Sequence, residues 1–184
     1  MEHLRFTFSS RELKELGVSA VGIAFVFAFY YSGGIPEIWV FIMALVGVST
    51  GFIAHELAHK FTAQRFGCWA EYRMWEMGLL IALFLVVAFR LLFIAPGAVY
   101  IVPGFRGITR QEDGIISASG AVANLAVGCV FLLVGFGFGA SINAWLALFN
   151  MLPVPPLDGS KVIRWNPGAW AGIAGGALLL LLLA

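Results

Sequence analysis

The sequence predicts an all-α integral membrane protein, a bundle of about five to six transmembrane helices with a re-entrant or membrane-associated hairpin and a short β segment. Of the 184 residues, 61% are hydrophobic and 11% are charged, whereas soluble domains have roughly 45–50% apolar and about 25% charged residues. Charged side chains are absent from four long stretches: residues 18–36, 38–54, 114–157 and 165–184. Because charged groups are costly in a bilayer core of about 30 Å, these stretches predict membrane-spanning helices.

The predicted helices follow from these stretches in chain order. A helix needs about 20 mainly apolar residues to cross the bilayer core, which places helices at about residues 18–34, 38–66, 116–139, 142–163 and 168–184. The last of them is a C-terminal helix that ends the chain. Together they predict a single domain that spans residues 1–184.

Residues 1–17 carry charges of both signs and predict a short cytoplasmic surface helix before the first span. Ser9 and Glu12 have the spacing of a capping box, in which each side chain bonds to the backbone amide of the other residue. A polar tail without regular structure is the alternative.

Residues 77–113 allow two interpretations. Arg90 divides the apolar stretch 77–103 into two runs of about thirteen residues, each shorter than a span needs. This stretch is either a re-entrant or membrane-surface hairpin, or a sixth spanning helix. Within residues 97–118, β-branched residues lie between prolines and glycines, which predicts short strands and turns.

The positive charges predict a cytoplasmic N-terminus. Lys and Arg occur before the first helix, where Arg5 lies, after the second and near the end of the fourth, while the connections 31–40 and 139–145 contain none. Tryptophans lie at the predicted helix ends, as an aromatic belt requires: Trp39, Trp69, Trp75, Trp145, Trp165 and Trp170. The formal net charge of +1 argues against nucleic-acid binding, which needs a clustered basic face. We therefore expect a lipid bilayer as partner and no nucleic acid.

The second predicted helix contains the segment HELAH, with His55, Glu56 and His59. Residues four apart in a helix lie on the same side, so the two imidazoles can bind one metal ion with Glu56 beside it. This pattern is typical of zinc hydrolases. The alternative is a pair of histidines that hydrogen-bond to neighbouring groups.

A catalytic zinc site normally has three protein ligands and an open position for water. The acidic candidates for the third ligand are Glu37, Glu71, Glu76 and Asp158. We favour Asp158, because the predicted topology places it at the cytoplasmic end of the fourth helix, level with the two histidines. This placement requires that residues 77–96 do not cross the membrane fully, which favours the re-entrant hairpin. A glutamate as third ligand is the alternative.

The segments HELAH, SASGAVAN and NMLPVPPLDG follow in this order on apolar helices, and together they resemble the site-2 protease family of intramembrane metalloproteases. The resemblance covers roughly residues 40–164. It implies that one zinc ion per chain is bound by His55, His59 and Asp158, and that Glu56 is the catalytic glutamate. The helices at 38–66 and 116–164 would then form the catalytic core.

The resemblance also concerns the two asparagines in these segments. It implies that Asn124 and Asn150 lie near the cleft and help to hold the substrate strand or the active-site geometry. One departure is that Gly120 is followed by Ala121, where the family commonly has proline. Any kink or tight contact that depends on this proline would be missing.

The predicted function is hydrolysis of peptide bonds within or near transmembrane helices of membrane-protein substrates, by a minimal core without a PDZ or regulatory domain. We expect a strand within residues 97–118 to pair with the unwound substrate, because lipid offers no hydrogen-bond partners. The expected location is the cell membrane of a prokaryote, with the active site toward the cytoplasm. The alternatives are a membrane metal-ion transporter and a non-catalytic membrane protein braced by its metal.

Overall fold

The computed structural model describes residues 7–184, so Arg5 and the first six residues of the expected surface helix lie outside the described part. In chain order the elements are α1 (Ser10–Ser32), α2 (Ile38–Arg65), β1 (Trp69–Met74), α3 (Glu76–Phe89), β2 (Gly97–Val102), α4 (Arg110–Leu133), α5 (Gly137–Asn150), α6 (Gly159–Trp165) and α7 (Pro167–Leu183). The fold is thus mostly helical, with one small sheet.

Three of these helices, α1, α2 and α4, are long and apolar enough to cross a membrane, which indicates a membrane protein. The helices α3 and α7 are also apolar, but they contain 14 and 17 residues. Both are shorter than the roughly 20 residues that a perpendicular span needs. The total of five to six spans therefore stays a prediction.

The N-terminal part of the structure differs from the expected separate surface helix, because residues 10–17 are the beginning of α1. Ser9 is the N-cap of α1, and its Oγ accepts a hydrogen bond of 3.0 Å from the Glu12 amide, as half of the predicted capping box requires. The Glu12 carboxylate instead pairs with Lys60 and accepts a hydrogen bond from the Tyr72 amide. It therefore joins α1 to α2 and β1.

The helix α2 lies at the centre of the bundle and packs against α1, α4 and α5. Phe27 of α1 and Phe52 of α2 belong to the same buried core. A Cβ atom at Gly51 would lie 2.3 Å from Asn143 Oδ1, so the absence of a side chain lets α5 approach α2 closely. This close packing fixes which side of α2 faces the other helices.

The connection between α5 and α6 corrects the predicted helix over residues 142–163. The helix α5 ends at Asn150, residues 151–158 are irregular, and α6 starts at Gly159. The cause lies in three residues that lack a backbone N–H and restrict the residue before them: Pro153, Pro155 and Pro156. Asp158 consequently lies at the end of an irregular segment and not within a long helix.

The range 97–118 is only partly extended. The strand β2 confirms a strand at its start, but residues 110–118 belong to α4. Thr109 begins this helix with a complete capping box, in which its Oγ1 accepts from the Glu112 amide at 3.2 Å and its own amide donates to the Glu112 carboxylate at 2.9 Å. This local signal explains why the chain turns from strand to helix here.

The strand β1 was not predicted from the sequence. It pairs with β2 in an antiparallel two-stranded sheet, with a register that runs from Trp69 opposite Val102 to Met74 opposite Gly97. The sheet contacts α1, α2 and α3. It therefore lies beside the helix that carries the HELAH segment.

Candidate metal centre

The structure brings the three predicted ligands together. The Nε2 atoms of His55 and His59, one turn apart on α2, are 2.9 Å from each other. The Oδ2 atom of Asp158 lies 3.1 Å from His59 Nε2 and 3.4 Å from His55 Nε2. Each of these side chains offers one ligand-type atom, and within residues 7–184 these three atoms lie close enough together to hold a metal ion.

The second ring nitrogen of each histidine defines which tautomer is present. His55 Nδ1 is 2.7 Å from Asn124 Oδ1, and His59 Nδ1 is 2.8 Å from the carbonyl oxygen of Ile116. Asn124 Nδ2 donates to the Gly51 carbonyl, which fixes the orientation of its amide. Both ring partners are acceptors, so each Nδ1 carries a proton and each Nε2 presents a lone pair.

The three convergent atoms suit a zinc ion. With both imidazoles neutral and their Nδ1–H groups bonded as above, two lone pairs and a carboxylate oxygen converge, and a bound cation would satisfy all three. Ligand atoms at zinc distances in a tetrahedron lie about 3.3 Å apart, and the observed separations are 2.9, 3.1 and 3.4 Å. Three protein ligands leave one position open, which is typical of catalytic zinc and not of structural zinc.

Gly120 of α4 provides the space that the histidines occupy. A Cβ atom at this position would lie 2.5 Å from His59 Nε2 and 2.6 Å from His55 Nε2, so any side chain would displace the rings. The helix α4 continues without a break through the fully buried Ala121. The close approach of α4 to α2 is therefore achieved without the proline that the resemblance led us to expect.

Glu56 lies in the same cavity as the ligand-type group, a space of 180 Å³. Its side chain is buried, with 7% of the residue exposed. Its Oε2 atom has no hydrogen-bond partner among the described residues. A buried polar atom without a partner costs about 1–3 kcal/mol, and a bound water or substrate group in the cavity is its natural partner.

Two buried asparagines support His55 from behind. Asn124 Nδ2 also lies 3.2 Å from Asn143 Oδ1, and Asn143 Nδ2 donates to the Gly139 carbonyl at 2.9 Å. Asn143 was not among the predicted site residues, although an amide inside an apolar helix is the signal that could have found it. Asn150 lines the cavity that contains Glu56 and the three ligand-type side chains, called the metal cavity below. Its Nδ2 donates to the Leu146 carbonyl.

The other acidic candidates lie elsewhere. Glu37 and Glu76 are exposed at the beginnings of α2 and α3. Glu71 of β1 accepts a hydrogen bond from Ser9 and pairs with Arg73 at 2.9 Å. Both interactions stabilise the carboxylate, and the pKa of Glu71 is therefore lowered, chiefly by the hydrogen bond from Ser9. None of the three glutamates belongs to the group formed by His55, His59 and Asp158.

The strand β2 forms one wall of the metal cavity, through Gly97, Ala98, Val99 and Ile101. The segment before β2 and the irregular segment before α6 line the cavity as well. The cavity is therefore bordered by a strand edge.

The opposite edge of the sheet, on β1, is covered by α1. The Tyr72 amide donates to Glu12 Oε1 at 3.0 Å, and the Met74 amide donates to Glu15 Oε2 at 2.8 Å. These two amides point away from β2, so Tyr72 and Met74 belong to the pairs of the ladder that are not hydrogen-bonded. Two carboxylates thus replace a neighbouring strand.

The strand register shows which backbone groups of β2 point outward. Tyr72 lies opposite Val99, and Met74 lies opposite Gly97. In an antiparallel pair that is not hydrogen-bonded, both residues direct their amides and carbonyls outward. The backbone groups of Gly97 and Val99, and by alternation those of Ile101, therefore point away from β1, toward the side where the cavity lies.

The fold and the site together define a class of protein, a helical membrane protein in which two buried histidines and a partly buried aspartate lie beside a buried glutamate. Among known proteins, the chain is 43% identical over 180 residues to a Methanocaldococcus jannaschii protein named "Putative zinc metalloprotease", and 90% of each chain is covered. The chain belongs to the zinc metalloprotease family of this relative. No family model matches the chain, and no solved structure matches it.

Proposed function

We propose that this protein is an intramembrane zinc metalloprotease of the site-2 type, which hydrolyses peptide bonds within or near transmembrane helices of membrane-protein substrates. One zinc ion per chain is held by His55, His59 and Asp158, and Glu56 is the catalytic residue. The observation that carries the proposal is the convergence of three acceptor atoms beside an unpartnered Glu56 oxygen, in one cavity within an apolar bundle.

The residues of the chain divide the reaction between them. Zinc, when bound, polarises the scissile carbonyl and lowers the pKa of a bound water. Glu56 Oε2 accepts the proton of the attacking water and returns it to the leaving amine nitrogen. Asn124 and the Ile116 carbonyl hold the two imidazoles by their Nδ1–H groups, which orients the rings and raises their basicity as ligands.

The substrate binds along the outer edge of β2. A transmembrane helix hides its carbonyls in hydrogen bonds, so it must unwind locally before cleavage, and lipid provides no partners for the released amides. The outward backbone groups of Gly97, Val99 and Ile101 provide such partners by strand addition. The unwound segment then lies beside Glu56 and the metal ligands.

The proposed setting follows the sequence-based expectations. The protein crosses the cell membrane of a prokaryote with five to six helical segments, with its N-terminus in the cytoplasm and its active site toward the cytoplasmic side. The short helix α3 and the segment after it form the re-entrant part. The partner is a transmembrane-helix protein, and Asn150, which lines the cavity, lies close to the bound strand.

The test is zinc content together with cleavage of a single-span substrate in detergent, for the wild type and for Glu56→Gln. We expect about one zinc per chain in both proteins and cleavage only in the wild type, because the amide cannot accept the water proton. Glu37→Gln makes the same change at an exposed residue outside the cavity, and it serves as the control that keeps both zinc and cleavage. Metal-dependent transport retained in Glu56→Gln, or cleavage retained in it, contradicts the proposal.

A further inference from the structure

A second cavity, of 580 Å³, lies where the first turn of α4 meets α6. It is lined by Ile108, Thr109, Arg110, Asp113, Lys161 and Arg164. Lys161 also lines the metal cavity. The two cavities therefore meet at this side chain.

Lys161 lies one helical turn beyond the proposed metal ligand Asp158. The Lys161 amide donates to the Asp158 carbonyl at 2.9 Å, so Asp158 is the N-cap of α6 and Lys161 lies in its first turn. Side chains three residues apart in a helix are neighbours, with Cβ atoms roughly 5–6 Å apart. A group that contacts the Lys161 ammonium is therefore within a few residues of the reacting bond.

The second cavity has an excess of positive charge. Three cationic side chains face one carboxylate, that of Asp113. Lys161 Nζ is 3.6 Å from Asp113 Oδ1, too far for a hydrogen bond, and the two side chains are 38% and 41% exposed. Arg164 Nε donates to the Ser160 carbonyl, and within residues 7–184 neither Arg164 nor Arg110 has a carboxylate partner. The cavity is thus able to take a further anionic group.

The distance between the two cavities follows from the side chain that they share. The strand β2 runs from Gly97 to Val102, and the chain then continues through residues 103–107 to Ile108 and Thr109 in the wall of the second cavity. Lys161 lines both cavities, and its Cβ atom lies roughly 5–6 Å from that of Asp158. Since an extended chain advances about 3.3 Å per residue, a substrate segment contacts the Lys161 ammonium about two to four residues from the reacting bond.

We propose that Lys161, Arg110 and Arg164 form a subsite for an acidic side chain of the substrate, about two to four residues from the cleaved bond. This inference rests on the proposed proteolytic function and names its substrate class, namely membrane proteins with an Asp or Glu on one side of the cleavage point. The occupant is a substrate carboxylate because Lys161 faces both cavities, so that one polypeptide segment contacts it on leaving the metal centre.

The test compares two single-span peptides that differ only by Asp or Asn, with this residue moved through four positions on each side of the cleaved bond. In detergent, we expect the wild type to cleave the best Asp peptide about fivefold more efficiently through a lower KM, as for partly exposed ion pairs. The preference is confined to one side of the bond. In Lys161→Gln, Arg110→Gln and Arg164→Gln, the ratio of kcat/KM for the Asp peptide to kcat/KM for the Asn peptide, measured within each variant, falls toward one, and Lys161→Arg restores it.

Two controls make this result specific. Arg65→Gln removes the same charge from an exposed residue at the end of α2, outside this cavity, and it keeps the preference. Binding of both peptides to Glu56→Gln is measured as well, because it reports the subsite even if the protein cleaves neither peptide. Absence of cleavage by the zinc-loaded wild type refutes the proposed function, whereas tighter binding of the Asp peptide still supports the subsite.

Three results overturn the subsite. The first is equal binding of the Asp and Asn peptides, and the second is a preference on both sides of the bond, which is general charge attraction. The third is an effect of lipid charge. It would be seen as faster cleavage of the Asn peptide in vesicles with phosphatidylglycerol than in neutral vesicles, with the difference abolished by Lys161→Gln. The cavity is then a site for a lipid headgroup.

Discussion

The two edges of the small sheet are treated in opposite ways. On β1, the Tyr72 and Met74 amides are bonded to carboxylates of Glu12 and Glu15. On β2, the equivalent outward backbone groups border the cavity that contains Glu56. An unpaired strand edge invites another strand, so the protein closes one edge with its own side chains and leaves the other beside the metal centre. The comparison shows how one edge of a sheet can be closed by side chains while the other edge stays available for the proposed substrate strand.

The largest effect is expected from a variant that breaks the closed edge of β1. Glu12 and Lys60 form an ion pair at 2.5 Å, and each side chain is 1% exposed. Glu12→Ala leaves a buried ammonium unpaired, and we expect the free energy of unfolding to fall by about 3–5 kcal/mol, measured as a lower thermal midpoint in detergent. Glu12→Leu combined with Lys60→Met removes both charges and recovers part of the loss, because the Tyr72 amide still lacks its acceptor. A single variant as stable as the wild type would show that other groups close this edge.

The next prediction weakens the metal centre beside the open edge and leaves both edges in place. Asn124→Ala removes the acceptor of the His55 Nδ1–H group, and such partners typically contribute 10–100-fold to metal affinity. We expect zinc affinity to fall by about that factor, measured by competition with a chelator. Asn150→Ala, whose amide bonds to the Leu146 carbonyl, keeps the affinity. Equal affinities of the wild type and Asn124→Ala would contradict the ring-orienting role.

A smaller effect is expected from breaking the open edge. Ile101→Pro removes one backbone N–H from the outer side of β2, and one lost hydrogen bond reduces kcat/KM about tenfold. Zinc content stays unchanged. Ile101→Ala shortens the same side chain but keeps the amide, and it therefore serves as the matched control. If both variants lose cleavage equally, the side chain and not the edge is responsible.

The smallest effect concerns the second carboxylate on β1. Glu15→Ala leaves the Met74 amide without its acceptor, which we expect to lower the free energy of unfolding by about 1 kcal/mol. In Glu15→Gln the amide oxygen still accepts, so most of the stability returns. Thermal unfolding of both variants in detergent measures the difference. Equal loss in both would mean that the charge of Glu15, paired with Arg11 at 2.6 Å, matters more than the hydrogen bond.

The sequence predicted the part of the site that is local in the chain. His55, Glu56 and His59 share one helix, so their spacing alone determined their relative positions. Asp158 required a further argument from topology, since it lies far away in the chain. The helix bounds near it could not be predicted from hydropathy, because residues 151–157 are as free of charge as a span and are broken by prolines instead.

The features that the sequence analysis missed depend on packing between distant segments. The strand β1 was not predicted, although Glu71 and Arg73 alternate with the buried Ala70 and Tyr72, which is a strand signal. The hydrogen bond between Asn124 and Asn143 joins α4 to α5. Hydrophobic periodicity predicts neither this pair of asparagines nor the two covered amides of β1, because both depend on how the helices are rotated about their axes.

The separation of the proposed zinc ligands along the chain has a consequence for biosynthesis. His59 and Asp158 are about 100 residues apart, and ribosomes add roughly 5–20 residues per second. The helix with HELAH therefore leaves the ribosome about 5–20 s before the aspartate that completes the ligand set. A nascent chain inserted in the membrane has no complete zinc site during this interval. If the proposed function holds, the ligand set is complete only after the last third of the chain has been synthesised and packed, so an unfinished chain would have no complete site with which to cleave neighbouring membrane proteins.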